Sequence, residues 1–78
     1  MAQKRDIDPK LSKVLDKISG NLERLRLDRG WSQLTTAEKL ETDLRWYQRL
    51  ESGKHALSLS TLVRLASLFK VDLIEFFK

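Results

Sequence analysis

Apolar residues recur at three- and four-residue spacing along most of the chain, the period of helix faces rather than the alternation of strands. Leu11, Val14, Leu15, Ile18, Leu22 and Leu25 form the first such stripe. Asp8-Pro9 suits its start, because proline at the first helical position lacks a donor that would be unpaired there anyway. Gly20 interrupts the composition, and a glycine inside a helix costs about 1 kcal/mol relative to alanine. The stripe nevertheless passes through Gly20 in phase. The pattern therefore predicts one long helix from residue 9 to near Arg29, with Gly20 as the place for any bend and Gly30 as its end. Trp31 follows as a large apolar plug for the core. The N-terminal part of this helix needs cover, from the C-terminal helices of the same chain or from a second subunit.

Two short amphipathic segments come next, over 33–40 and 44–52. Ser32 and Asp43 precede them, with side-chain oxygens suited to accept from the open N–H groups of a first helical turn. Gly53 suits the left-handed end of the second segment, and Lys54 suits the negative end of its dipole. Ala37 and Leu40 mark one face of the first segment, Tyr47 and Leu50 one face of the second. So short a connection brings those faces together at a sharp corner, the helix-turn-helix shape. Left outward on the second segment are Leu44, Arg45, Gln48 and Arg49, with Trp46 toward the flank.

Ser58 is placed to cap a further helix over 59–69, with a wide apolar stripe of Leu59, Leu62, Val63, Leu65, Ala66, Leu68 and Phe69. The last segment, 71–78, carries Asp72 and, three residues on, Glu75, a spacing that resembles a capping box. Leu73, Ile74, Phe76 and Phe77 are too many apolar residues for one buried face of so short a helix. Part of this cluster is expected at the surface, where such patches mark contacts between subunits. Residues 1–8 read as a flexible arm and 9–78 as one domain.

The run 30–54 also carries a resemblance. Ser32-Gln33, Ala37-Glu38-Lys39-Leu40 and Arg49-Leu50-Glu51-Ser52-Gly53-Lys54 stand without a gap at the spacing of the phage-repressor and Cro type of helix-turn-helix domain, the XRE-like family. The similarity extends from about residue 21 to residue 77. It implies an all-α, compact five-helix domain of the lambda-repressor kind, with the helix-turn-helix at helices 2 and 3 and, here, an extended first helix. It further implies that Gln33 meets the DNA backbone and that Arg26 pairs with Glu51 to lock the first helix to the reader. Four positions depart from the family's habit: Glu41 stands where the turn usually has glycine, Thr36 and Thr42 replace apolar residues and should thin the packing, and Leu57 replaces a frequent proline.

On the chemistry of the major groove, arginine can bond both O6 and N7 of guanine. Leu44, Arg45, Gln48 and Arg49 are thus the expected base readers: the arginines for guanine, Gln48 for adenine or a phosphate, Leu44 for a thymine methyl. Gln33, Trp46, Ser52, Lys54 and His55 are the expected backbone contacts, and Leu73, Ile74 and Phe77 the expected homodimer interface. The mechanics ask for a dimer, since one reader covers few base pairs and a two-fold pair reads half-sites about 34–36 Å apart. Expected partners are a palindromic double-stranded operator, a second copy of the chain and, further, RNA polymerase.

Charge modifies this picture only slightly. Fifteen Lys and Arg against eleven Asp and Glu give a net charge of +4, compatible with a polyanionic partner but not diagnostic of one. From Asp43 to Lys54 the balance is only one positive charge, so DNA binding must rest on placement. The chain has no cysteine and one histidine, which leaves no thiol nucleophile, no cysteine-held zinc and no cluster of ligands; no catalytic residue, metal, cofactor or small-molecule ligand is expected. No apolar run has the length of a membrane span, and a cytoplasmic location is expected. The competing reading is a protein-binding helical module or an antitoxin on the same fold. The apolar surplus at the C-terminus favours that alternative; the polar face Gln33, Arg45, Gln48, Arg49, which has no use in a core, opposes it.

Overall fold

A computed structural model describes residues 8–78, and among these there are four α-helices, one 3-10 helix and no strand. The arm expected over 1–8 lies, but for Asp8, outside the described residues. Helix α1 spans Pro9–Asp28, α2 Gln33–Lys39, α3 Leu44–Ser52 and α4 Leu59–Phe69, and the 3-10 helix spans Leu73–Phe77.

Local chemistry sets most of these boundaries. Asp8 Oδ1 accepts from the Lys10 amide at 2.7 Å, and α1 then runs unbroken through Gly20 to Arg29, its C-terminal cap. Ser32 accepts from the Thr35 amide, Asp43 from that of Trp46 and Ser58 from that of Thr61. Each such cap is worth about 1 kcal/mol. Gly53 ends α3 in the left-handed conformation, with φ 74°.

The core gathers Ile18, Leu22 and Leu25 of α1, Ala37 and Leu40 of the first helix-turn-helix segment, Tyr47 and Leu50 of α3, Leu62, Leu65, Ala66 and Phe69 of α4, and Phe76. Helix α1 packs on α3 and on the 3-10 helix, while α2 packs on α3. Trp31 sits at the edge of the core rather than deep within it, its ring stacked on Phe69 at 5.6 Å between centroids and its other approach covered by the Lys39 ammonium at 4.7 Å. Arg29 crosses from α1 to the end of α4, donating to the carbonyls of Leu25 and Phe69. Arg64 ties α4 to the corner between α2 and α3 by donating to the Leu40 carbonyl.

Four expectations need correction. The fifth element is a 3-10 helix, and Asp72 makes no side-chain cap. Glu75 does not fold back on Asp72, because its carboxylate meets Lys78 at 2.7 Å and Arg24 at 3.8 Å; the tight turn instead drops Phe76 into the core, where Asn21 Nδ2 donates to its carbonyl at 3.0 Å. The stripe of α4 is narrower than its sequence suggests, since Leu59 and Val63 are exposed. Helix α2 ends at Lys39 with Leu40 as its cap. Thr36, expected to thin the packing, is fully buried, and its hydroxyl donates to the Ser32 carbonyl at 2.9 Å, so that it leaves no unpaired donor. At the corner Glu41 itself takes the left-handed conformation that glycine usually supplies, with φ 60°.

Candidate nucleic-acid interface

Helix α3 is amphipathic over nine residues, with its inner face fixed by Tyr47 and Leu50, both buried. The opposite face therefore has a defined orientation. It presents Arg45, Gln48 and Arg49, all exposed, and at its N-terminal end Leu44, half-buried. Among the described residues neither arginine forms an ion pair, so both guanidinium groups are available to a ligand. The structure thus brings the four expected base readers onto one surface.

Beneath that surface lies a polar cluster centred on Glu51. Its Oε2 accepts from Arg26 Nε at 2.6 Å and from the Tyr47 hydroxyl at 2.5 Å; its Oε1 accepts from Arg26 Nη2 at 3.1 Å and from Gln33 Nε2 at 3.0 Å. Four donors saturate the carboxylate, and Arg26 Nη1 donates onward to the Trp31 carbonyl at 2.9 Å. The expected pair Arg26–Glu51 is present, and it is the middle of a larger assembly. Burial alone would raise the Glu51 carboxyl, but the bonds from Arg26, Tyr47 and Gln33 outweigh it and hold the group below the usual carboxylate range. The bond to Glu51 raises Arg26, and burial followed by the bond to Glu51 pushes the Tyr47 phenol far up. The cluster is ionised at the carboxylate and the guanidinium and neutral at the phenol.

The expected backbone contacts divide into two groups. Lys54 and His55 are exposed in the loop after α3. The other three already have partners within the chain: Gln33 binds Glu51 and accepts from Gln48 Nε2 at 3.1 Å, the exposed Ser52 hydroxyl donates to the Arg49 carbonyl at 2.7 Å and accepts from the Lys54 amide, and Trp46, half-buried, packs against the edge of the core. Trp46, Arg49, His55, Leu57, Ser58 and Thr61 line a cleft of about 440 Å³ between α3 and the start of α4. Of the expected dimer residues, Ile74 and Phe77 are exposed and Leu73 is half-buried against the core. Leu11 and Val14 of α1 are exposed as well, whereas Leu15 and Ile18 are covered by the chain itself.

Two features were not visible from the sequence. Tyr47 reads as a core residue, and its hydroxyl is also a partner of Glu51. Gly53 is buried where α1 crosses the end of α3, and a Cβ built on it would lie 2.9 Å from Ser19 Oγ and 3.1 Å from Asp16 Oδ1. The helical segment ahead of residue 20, whose apolar face was expected to need cover, thus serves as a brace for the end of α3. The only advance signal is the glycine, whose spacing explains the turn but not the close approach.

With this geometry in hand, comparison with known proteins gives a consistent result. The sequence model of a family described as helix-turn-helix matches residues 22–76. Among solved structures, the crystal structure of a hypothetical transcription factor, NHTF, from Neisseria superposes with a TM-score of 0.79 at 17% identity, covering 99% of this chain and 87% of that one. At that identity the likeness concerns the fold, and its coverage includes the part of α1 that precedes the family match. No curated protein matches the sequence. Since the family match takes in α2, the turn, α3 and nearly all that packs on them, the chain belongs to the XRE-type helix-turn-helix family of DNA-binding proteins.

Proposed function

We propose that the protein is a sequence-specific transcriptional regulator that inserts α3 into the major groove of double-stranded DNA and acts as a symmetric dimer. One observation carries the reading. The outward face of α3 holds Arg45, Gln48 and Arg49 exposed on a helix whose other face is fixed in the core. A helix of this width fits the major groove, where arginine recognises guanine and the carboxamide of glutamine recognises adenine. Leu44 is placed to meet a thymine methyl. Lys54 and His55 supply backbone contacts beside the reader, joined by Gln33, Ser52 and the indole of Trp46 at its rim; such contacts set register rather than sequence.

The dimer is proposed through Ile74 and Phe77, with Leu73 beneath them and the exposed Leu11 and Val14 of α1 as further apolar surface. Two readers related by a two-fold axis would address a palindromic operator with half-sites about one helical turn apart. Contact with RNA polymerase belongs to the same reading.

The test is selection from a randomised duplex pool at about 150 mM salt, with an Arg45→Ala, Arg49→Ala double variant in parallel. Enrichment of a palindrome by the wild type, and its loss in the variant, is the expected result. Weak binding by both that disappears with added salt and shows no sequence preference would overturn the reading in favour of a protein-binding module, because a purely electrostatic contact carries no base information.

A further inference from the structure

The ends of three helices enclose a hollow in which α3 has no part. Arg29 caps α1, Lys39 is the last residue of α2 and Lys70 caps α4. With Trp31, Leu68 and Phe69 they line a space of about 630 Å³. Three cations thus border one cavity, no carboxylate is among its lining residues, and the mutual repulsion is uncompensated. Helix C-termini do attract cations, but the carbonyls here are already answered. Arg29 donates to those of Leu25 and Phe69, and the Lys70 and Val71 amides donate to those of Ser67 and Ala66. Arg29 spends two of its guanidinium donors in this way and keeps the remainder. The Lys39 and Lys70 side chains are exposed, and among the described residues neither makes an ion pair.

The rest of the lining is aromatic. Trp31 stacks on Phe69 at 5.6 Å, the Arg29 guanidinium stands 5.1 Å from the Phe69 centroid, and the Lys39 ammonium lies over the indole at 4.7 Å. An anionic group that binds Lys39 draws the ammonium off the ring, and a face of the indole is then free for a flat apolar body. We propose that this hollow binds a small organic anion, a planar ring that carries a phosphate or a carboxylate, with Arg29, Lys39 and Lys70 holding the charge and Trp31 the ring. The volume agrees, since it falls within the roughly 300–1,000 Å³ of small-molecule sites and exceeds what an inorganic ion fills. No local pattern in the sequence reveals the site, because its lining comes together only when the ends of α1, α2 and α4 meet. None of these residues belongs to α3 or to the loop after it, so the anion and a duplex can be bound together. The proposal goes beyond DNA reading and does not depend on it.

The test follows the indole N–H resonances of Trp31 and Trp46 in the full-length protein, assigned with Trp46→Phe, while adenosine monophosphate or 2-naphthoate is added to millimolar concentration at about 150 mM salt, where unspecific charge attraction is screened. The Trp31 resonance should shift and saturate with at least one of the two, and which one acts identifies the anionic group; Trp46, in the cleft beside α3, should stay in place. Adenosine and inorganic phosphate, each carrying half of the proposed chemistry, should bind more weakly than adenosine monophosphate if the group is a phosphate, and 2-naphthol more weakly than 2-naphthoate if it is a carboxylate. Lys39→Gln and Lys70→Gln should each weaken binding by roughly two- to fivefold, the range for one exposed charge pair, whereas Lys13→Gln, which removes an exposed charge from the far part of α1, should leave it unchanged. Absence of a saturating shift with both probes would overturn the proposal. So would equal binding of the uncharged analogue or of inorganic phosphate, an equal loss in Lys13→Gln, or displacement of the probe by duplex DNA, which would assign the cations to a nucleic-acid backbone. A protein that binds no DNA at all but shows the Trp31 shift would lose the proposed regulator and keep this site.

Discussion

Arg26 and Glu51 lie 2.6 Å apart with side chains only 9% and 5% exposed, and a charge stranded at such depth has no water to turn to. Arg26→Met is therefore expected to destabilise the fold by about 3–5 kcal/mol in urea melts, whereas the double variant with Glu51→Leu should recover much of that loss, since no lone charge is left behind. Tyr47→Phe removes one of four donors to a charged acceptor and should cost about 1.5–3 kcal/mol. The same cluster makes stability depend on pH. The Glu51 carboxyl is lowered in the folded state, so its contribution is complete above its ordinary value near 4.5 and is lost as the pH falls through the folded value; urea midpoints should fall on the acid side of pH 4.5, and by less in the double variant. Glu41 offers the opposite case. With φ 60° it holds a left-handed backbone that costs a residue with a Cβ about 1 kcal/mol, and Glu41→Gly should raise the melting temperature by a few degrees. The pair Arg26–Glu51 was legible through the family resemblance. Its partners were not, because Gln33 and Tyr47 reach Glu51 across a corner whose angle no local pattern specifies.

The four α-helices were legible for a physical reason: each begins at an Asp or Ser whose side chain accepts from an open amide, and the apolar stripe that follows keeps its phase. The last element was misread, since Asp72 and Glu75 have the spacing of a cap while the burial of Phe76 and the bonds of Glu75 to Arg24 and Lys78 decide the outcome. Tertiary contacts outweigh a local signal most readily in an element of five residues. The N-terminal half of α1 makes the same point, since its stripe was visible but its target was not. Gly53 identifies that target. A methyl there would press on Ser19 and Asp16 in a backbone conformation that already disfavours it, so Gly53→Ala should destabilise by about 2 kcal/mol or more and weaken DNA binding by shifting the end of α3. Gly20, helical and with nothing within 4 Å of a built Cβ, should behave in the opposite sense: Gly20→Ala is expected to add about 1 kcal/mol by helix propensity alone. Chemical melts of the two variants side by side separate close approach from propensity.

For the whole molecule the proposed dimer has a direct consequence for binding. Ile74→Asp with Phe77→Ser should leave the fold intact, since both side chains are exposed, yet yield a monomer by ultracentrifugation and reduce operator affinity by at least tenfold. The outward face of α3 was legible in the sequence position by position, because amphipathic periodicity assigns each position of a helix to one face. What periodicity cannot supply is which polar side chains are bound to one another, and here that includes Gln33 with Gln48 and Ser52 with the backbone. The two indoles occupy different neighbourhoods: Trp31 lies stacked on Phe69 at the edge of the core, and Trp46 lines the cleft beside Arg49 and His55. The protein therefore carries its own pair of fluorophores. With Trp46→Phe, emission from Trp31 should report unfolding and stay silent when duplex is added, while with Trp31→Phe, emission from Trp46 should change on docking, before any denaturant is present.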